Sequence, residues 1–315
     1  MNCKSRPEIF ISAIAKDGNI LEIFPHMAER ISTKPKVEEE FSLSLFLFVV
    51  TASFAAVLGL VWWLAPHSVW VAQVGGSWWK LLGTFVAVSM FNCFMEYFFH
   101  RYVLHKPVFP FLSYFYRQHT HHHSLTRITR RRTPGGMEVN FVENFYPIIE
   151  KEQKEASFFP WYTFLIFAAC LTPLFVLLQW LVPALPWFLG GYGALAASLM
   201  LYEIFHAIEH WSFEKWGPLI DHPRWGGFWR KVYSFHLRHH AVIDCNEAIS
   251  GFFILPVADW VFGTCIIPGV LYKHGQTVAE EKEFLSPRPV GLIRWFDRLT
   301  DQIVKARRQR AAQGT

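Results

Sequence analysis

The sequence predicts an all-α integral membrane protein: four transmembrane helices and a cytosolic helical cap carrying a histidine-rich dimetal site. Three observations predict this class. Long uncharged apolar runs recur, positive charge is confined to particular connections, and ten histidines fall into four short clusters. The 315 residues are 52% hydrophobic and 17% charged, whereas soluble domains carry about a quarter charged residues. The formal charge of +5 is modest, and no nucleic-acid partner is expected from it. Cys3, Cys93, Cys170, Cys245 and Cys265 show neither a CxxC pair nor a disulfide-like spacing and read as packing thiols.

Taken in order, residues 1–40 form a polar cytosolic leader with a short amphipathic helix expected around 9–24. Lys4, Arg6, Lys16, Lys34 and Lys36 alternate there with acids, without the apolar core of a cleavable signal. Residues 41–65, FSLSLFLFVVTASFAAVLGLVWWLA, carry no charge. At 1.5 Å per residue they reach roughly 37 Å, more than the hydrocarbon core of about 30 Å. The uncharged connection PHSVWVAQVGGS leads to a second span at about 78–105. A third covers 161–182 after Pro160, and a fourth 187–210, with PALP as the turn between them. Residues 250–270 are apolar but broken by Pro256, Asp259 and Gly263, which suits a re-entrant or interfacial segment packed on the site. Residues 290–310 set Leu292, Phe296, Leu299 and Ile303 at helical spacing, with Arg294, Arg298 and Arg307 elsewhere around the turn. That pattern suits an interfacial amphipathic helix. The chain thus divides into the leader, a membrane-embedded catalytic domain at 41–270 and a cytosolic tail at 271–315.

Nearly every Lys and Arg lies in the leader, in the 105–157 connection or after residue 210; Lys80 alone lies near the other side. By the positive-inside rule, both termini and the long connection are expected in the cytoplasm. The histidine clusters fall at the ends of spans two and four and in the segments beyond them, all on that face.

Those clusters are His100 and His105; His119, His122 and His123; His206 and His210; His236, His239 and His240. In HTHHH and HLRHH the spacing His-x-x-His-His repeats, and positions i, i+3 and i+4 share a helix face. Each triplet is therefore expected to aim three imidazoles at one point. His206 and His210, at i and i+4, share a face as well. His100 and His105 lie about 140° apart on an ideal helix, so either the helix ends or kinks between them and one site takes both, or they face two metals. His121 is expected to point away. His26, His67, His222 and His274 are isolated and read as structural or exposed. Ten imidazoles exceed the usual four ligands of one zinc ion and suffice for two metals of about five each. Ring N–H groups need carboxylates or carbonyls to orient them; Glu96, Glu203, Glu209, Asn246 and Asp259 are the candidates. No catalytic group is expected apart from the ligands.

The strings HRYVLH (100–105), HTHHH (119–123), HAIEH (206–210), HLRHH (236–240) and ADWVFGT (258–264) resemble the fatty acid hydroxylase/sterol desaturase superfamily of membrane di-iron proteins. The resemblance covers roughly residues 85–266. It implies a mushroom-like helical fold, two iron ions held by the ten histidines under a cytosolic cap, and oxidation of a membrane lipid by dioxygen; zinc is an alternative occupant of the purified protein. The four-residue gap within HRYVLH is closer to the fatty-acid and ceramide hydroxylases than to the sterol branch, so the expected reaction is hydroxylation of a fatty acyl chain. A sterol or carotenoid hydroxylase or desaturase is the nearest alternative; a histidine-rich metal transporter and a bis-histidine haem protein are more distant. No flavin or haem motif is present, so a separate electron-transfer protein and reductase are expected partners. Arg127, Arg130, Arg131 and Arg132 offer a basic patch for such a carrier or for anionic lipid headgroups.

Overall fold

Four helices of the chain are long and apolar enough to cross a membrane: Leu43–Leu64, Trp78–Leu104, Thr163–Leu181 and Trp187–Glu209. The computed structural model describes residues 42–145, 148, 153, 156–273 and 277–313, and the helix expected at 9–24 lies outside the described residues. The first span is α1 (Leu43–Leu64), capped by the Ser42 side chain, which accepts from the Leu45 amide at 3.2 Å. It is apolar on every side, yet only Phe46 and Val50 are buried. A helix of that composition suits lipid rather than water. The exposed Trp62, Trp63, Trp78, Trp79 and Trp180 lie at span ends, as interfacial aromatics do.

The connection after α1 contains a helix of its own, α2 (His67–Val74). Its buried Gln73 explains why. The side-chain oxygen accepts from the amides of Phe188 and Leu189 at 3.0 and 3.1 Å, and its nitrogen donates to Gln179 at 3.0 Å. The second span, α3 (Trp78–Phe99), continues into a π-helical turn, His100–Leu104. The third and fourth spans are α5 (Thr163–Leu181) and α6 (Trp187–Glu209), with α4 (Ser113–His123) between α3 and α5. Gln73 therefore satisfies amides in the first turn of α6, which a helix leaves unpaired.

Helix α6 packs against α1, α2, α3 and α5. Two glycines permit that closeness: a Cβ on Gly190 would stand 2.1 Å from Thr84 Oγ1, and one on Gly191 would stand 2.7 Å from the Phe175 ring. Small residues at such crossings let helix backbones approach. The bundle core comprises Phe46, Val50, Phe164, Phe175, Tyr192 and Leu195 among others.

The expectation of an all-α chain is corrected by a three-stranded antiparallel sheet. Strand β1 (Thr126–Arg132) pairs with β2 (Glu138–Asn144), which pairs with β3 (Thr277–Ala279). The register runs from Thr126 opposite Asn144 to Arg132 opposite Glu138. The turn between these strands carries Gly136 at φ 79, a left-handed conformation that glycine adopts without a Cβ penalty. Arginine occupies four of the seven β1 positions, so the strand lacks the apolar alternation that announces a half-buried strand. On β2, Val142 is fully buried. It joins Trp216, Tyr233, Leu237, Tyr272 and Ala279 in a second core beside α7 (Phe213–Ile220) and α8 (Gly226–Ala241).

Residues 250–270 form no fifth span. Their one helix, α9 (Val257–Phe262), has six residues. Before it the chain folds back along α3: the Ser250 amide and hydroxyl donate to Glu96 at 2.8 and 2.6 Å, and Phe253 stacks on Phe85 at 6.1 Å. The final helix is α10 (Gly291–Gln313). Ile293 and Thr300 are buried, whereas Leu292 and Leu299 are exposed. Ile293 lies with Cys93, Tyr97, Ala258 and Phe262 in a third core, which docks α10 on the end of α3.

Candidate metal centre

The last turn of α3 solves the spacing of His100 and His105. There the His105 amide donates to the His100 carbonyl at 3.1 Å, an i→i+5 bond that widens the turn into a π-helix. Five residues now return to the same face. The two rings lie 4.9 Å apart, 27° from parallel.

Helix α4 supplies His119, His122 and His123, the end of α6 supplies His206 and His210, and α8 supplies His236, His239 and His240. The structure brings the ten together, eight buried and His105 and His123 half-buried. They meet through Nε2. His100, His105, His119, His123 and His239 form one group, and His122, His206, His210 and His236 a second, with ligand atoms in each within 4.8 Å of one another. Ligand atoms that close could share one ion in each group. His240 adjoins the second group, its Nε2 3.1 Å from those of His122 and His236.

The triplets do not each converge on one point, and that expectation is corrected. In the first, His119 and His123 belong to one group and His122 to the other; in the second, His239 leaves His236. The reason is helical. Positions i+3 and i+4 lie on opposite sides of position i, about 100° apart, so a triplet at the seam of two sites serves both. His206 and His210 do share a group, at 3.0 Å.

Outward contacts settle which nitrogen of several rings carries the proton. His100 Nδ1 is 2.5 Å from the Glu247 carbonyl, and His239 Nδ1 is 2.7 Å from the Cys245 carbonyl. A carbonyl only accepts, so both Nδ1 atoms are donors. His122 Nδ1 lies 2.7 Å from Ser157 Oγ, whose own proton goes to the Gln153 carbonyl at 2.6 Å; this ring too donates outward. In the neutral tautomer each inward Nε2 is then a bare lone pair. His122 Nε2 faces His206 and His240 at 3.1 Å, and His239 Nε2 faces His105 at 3.0 Å. Bare imidazole nitrogens turned on one another in a buried site suit a transition-metal cation, and the donor set therefore fits one.

The five expected orienting groups divide. Glu209 Oε2 stands 3.6 Å from His236 Nδ1. Asp259 acts through the loop, accepting from the amides of Glu247 and Ala248 at 2.9 and 2.8 Å and from the Thr264 hydroxyl at 2.7 Å. Asn246, at φ 56, clamps the Phe235 and Ile266 backbone. Glu96 and Glu203 also bind backbone rather than imidazole, Glu203 accepting from the Phe159 amide at 2.7 Å. Residue patterning missed Ser157 and Glu247. Neither carries a local signal, since each acts through a contact made by folding. His121 stands outside both groups, half-buried. His222 caps backbone instead, its Nδ1 accepting from the Arg224 and Trp225 amides. His26 and His274 lie outside the described residues.

No family model, curated protein or solved structure matches this chain.

A cavity of about 60 Å³ adjoins the histidines, lined by Tyr114, Phe115, Phe158 and Tyr202 and by His119 and His206, one from each group. The arginine patch is largely balanced within the sheet. Arg130 faces Glu281 at 3.8 Å, Arg132 faces Glu138 at 3.7 Å and Arg131 pairs with Glu143, while Arg127 lies over the Phe145 ring.

Burial, reinforced by neighbouring imidazoles, holds His105, His119, His122, His210, His236, His239 and His240 well below the usual imidazole range. Protonation near neutral pH therefore does not compete with a cation. In the metal-free protein, acid should destabilise the fold. The unfolded chain takes up protons near pH 6.5, the folded one only far lower, so the unfolded state gains as pH falls. Glu247 and Asp259, raised by burial, act oppositely but are outnumbered. Each ring contributes up to about 1.4 kcal/mol per pH unit below about 6.5. Melting curves of metal-free protein in detergent check this; a Tm that holds or rises between about pH 7 and 5 contradicts it.

Proposed function

We propose that the chain is a membrane di-iron oxidoreductase of the fatty acid hydroxylase/sterol desaturase type, hydroxylating the acyl chain of a membrane lipid. Dioxygen is the co-substrate, and electrons come from a separate carrier and its reductase. The observation that carries the reading is the set of ten imidazoles, Nε2 inward, nine of them in two groups and His240 beside the second, at one end of an apolar four-span bundle. His100, His105, His119, His123 and His239 would hold one iron ion, and His122, His206, His210, His236 and His240 the other. Five nitrogens exceed the usual four of structural zinc, which favours iron although imidazole accepts both. When bound, such a pair supplies redox chemistry with dioxygen, strong enough for an unactivated C–H bond.

The chain's own residues do the remainder. The Glu247 and Cys245 carbonyls and the Ser157 hydroxyl hold the Nδ1 protons of His100, His239 and His122, leaving Nε2 free to bind. Burial of the rings excludes water. The aromatic walls of the cavity offer an apolar surface to the reacting part of such a chain beside His119 and His206. The excess of Lys and Arg in the leader, the 105–157 connection and the segment after residue 210 supports a cytoplasmic side for the metal site and both termini.

The test is lipid analysis of a strain lacking the gene, complemented by wild type or by His239→Ala. Hydroxylated acyl lipids should disappear in the deletion, return with wild type and stay absent with the variant. Accumulation of an unmodified sterol or carotenoid instead would overturn the acyl assignment, and an unchanged lipid profile would overturn the oxidation itself.

A further inference from the structure

Helix α10 lies more than fifty residues beyond the last histidine cluster, yet it is joined to the first histidine group by ionic contacts. Ile293, Phe296, Asp297 and Thr300 recur at i, i+3, i+4 and i+7, one face of the helix. Ile293 and Thr300 are buried, and the Phe296 ring lies 5.8 Å from Phe98 and 5.9 Å from Tyr102. Asp297 sits within this stripe opposite Arg101, which occupies the π turn between His100 and His105. The pair is bidentate: Arg101 Nε donates to Asp297 Oδ1 at 3.0 Å and Nη2 to Oδ2 at 2.8 Å. The Tyr102 hydroxyl adds a third bond to the same carboxylate at 3.1 Å.

The other edge of the guanidinium faces the loop after α8. Arg101 Nη1 donates to Glu247 Oε1 at 2.8 Å and to the Asp244 carbonyl at 2.9 Å. Glu247 is fully buried, and its backbone carbonyl accepts from His100 Nδ1. Its second carboxylate oxygen stands 3.9 Å from both His100 Nδ1 and His105 Nε2. A planar fork bound on both edges cannot rotate without breaking one side. Asp297 thereby fixes Arg101, Arg101 fixes Glu247, and Glu247 orients His100.

We infer that Asp297 is a positioning residue for the five-histidine group, acting through Arg101 and Glu247, so that the C-terminal helix is part of one metal centre and not of the other. Lys106 Nζ lies 3.8 Å from Asp297 Oδ1 as well, so the cluster carries cations on both sides of that carboxylate, and its effect on the histidine group is one of position. The second group, reached from α4, α6 and α8, makes no contact with this chain of ion pairs among the described residues. The inference rests on the reading that each group holds a metal, and its test separates the two.

Full-length protein in detergent is titrated with zinc alone against a competing chelator, for wild type, Asp297→Asn, Asp297→Glu, Arg101→Lys and Asp301→Asn. Orienting groups behind a metal ligand are worth about 10–100-fold in affinity. Asp297→Asn and Arg101→Lys should weaken one zinc site by that factor and leave the other unchanged; Asp297→Glu should restore it in large part. Asp301 is exposed and pairs at 2.7 Å with Lys106, which also lies 3.8 Å from Asp297; Asp301→Asn shows whether that lysine contributes, and it should have no effect. In metal-free protein, amide exchange of residues 102–106 and 247–248 should quicken in Asp297→Asn, with that of α6 unchanged. Equal weakening of both sites, no weakening of either, or failure of Asp297→Glu to rescue would each overturn the inference. If wild type takes up no zinc, the metal reading fails separately, and the exchange measurement still decides whether Asp297 holds the π turn.

Discussion

On the proposed di-iron reading, His119→Ala is expected to leave the chain folded, release one of two metal ions and lower lipid hydroxylation at least about 100-fold. The size follows from the position of the ring. Its Nε2 lies 2.8 Å from that of His100, 3.0 Å from that of His123 and 3.3 Å from that of His105, so it is shared by most of the first group. It also lines the cavity. Groups that merely orient a ligand cost about 10–100-fold, and loss of the ligand itself reaches or exceeds the upper end. Metal analysis of the purified variant, read beside hydroxylated lipid in cells, measures both effects. His121→Ala is the matched control on the same helix and should change neither. Retention of both ions and of activity in His119→Ala would remove the first group from the chemistry.

The largest effect on stability is expected from Asp259→Ala. This buried carboxylate accepts from two backbone amides and one hydroxyl. Truncation leaves the two amides buried and unpaired, each costing about 1–3 kcal/mol, whereas the Thr264 hydroxyl can turn to Tyr97 Oη at 3.4 Å. A loss of about 2–6 kcal/mol is a large part of the 5–15 kcal/mol that holds a typical domain together. The damage reaches the site as well, because the loop held by Asp259 presents the Glu247 carbonyl to His100. Denaturant unfolding in detergent should show the loss, and metal affinity should fall alongside it. A change below about 1 kcal/mol would mean that water or a shifted loop satisfies these donors.

Both residues stood out in the sequence, but for different reasons. His119 was visible as part of a repeated triplet. Asp259 was visible as an acid in an apolar run, though its partners were not. Glu247 and Ser157, which hold the Nδ1 protons of His100 and His122, gave no signal. A carbonyl or hydroxyl becomes an orienting group only when a distant segment arrives opposite it. The same holds for β1, where arginines conceal a strand that is recognisable only by its pairing with β2, and for Asp297, which lies 196 residues from Arg101 in the chain.

By itself the sequence determined the four spans and the membership of the histidine set. Length, absence of charge and helical spacing are local properties that fold with the backbone and need no partner. Only the tertiary structure decided how the imidazoles divide into two groups, because each group draws rings from separate helices and each triplet is split between them. It also decided that His100 and His105 face one point, since an i→i+5 hydrogen bond shifts the register of a helix without changing its composition.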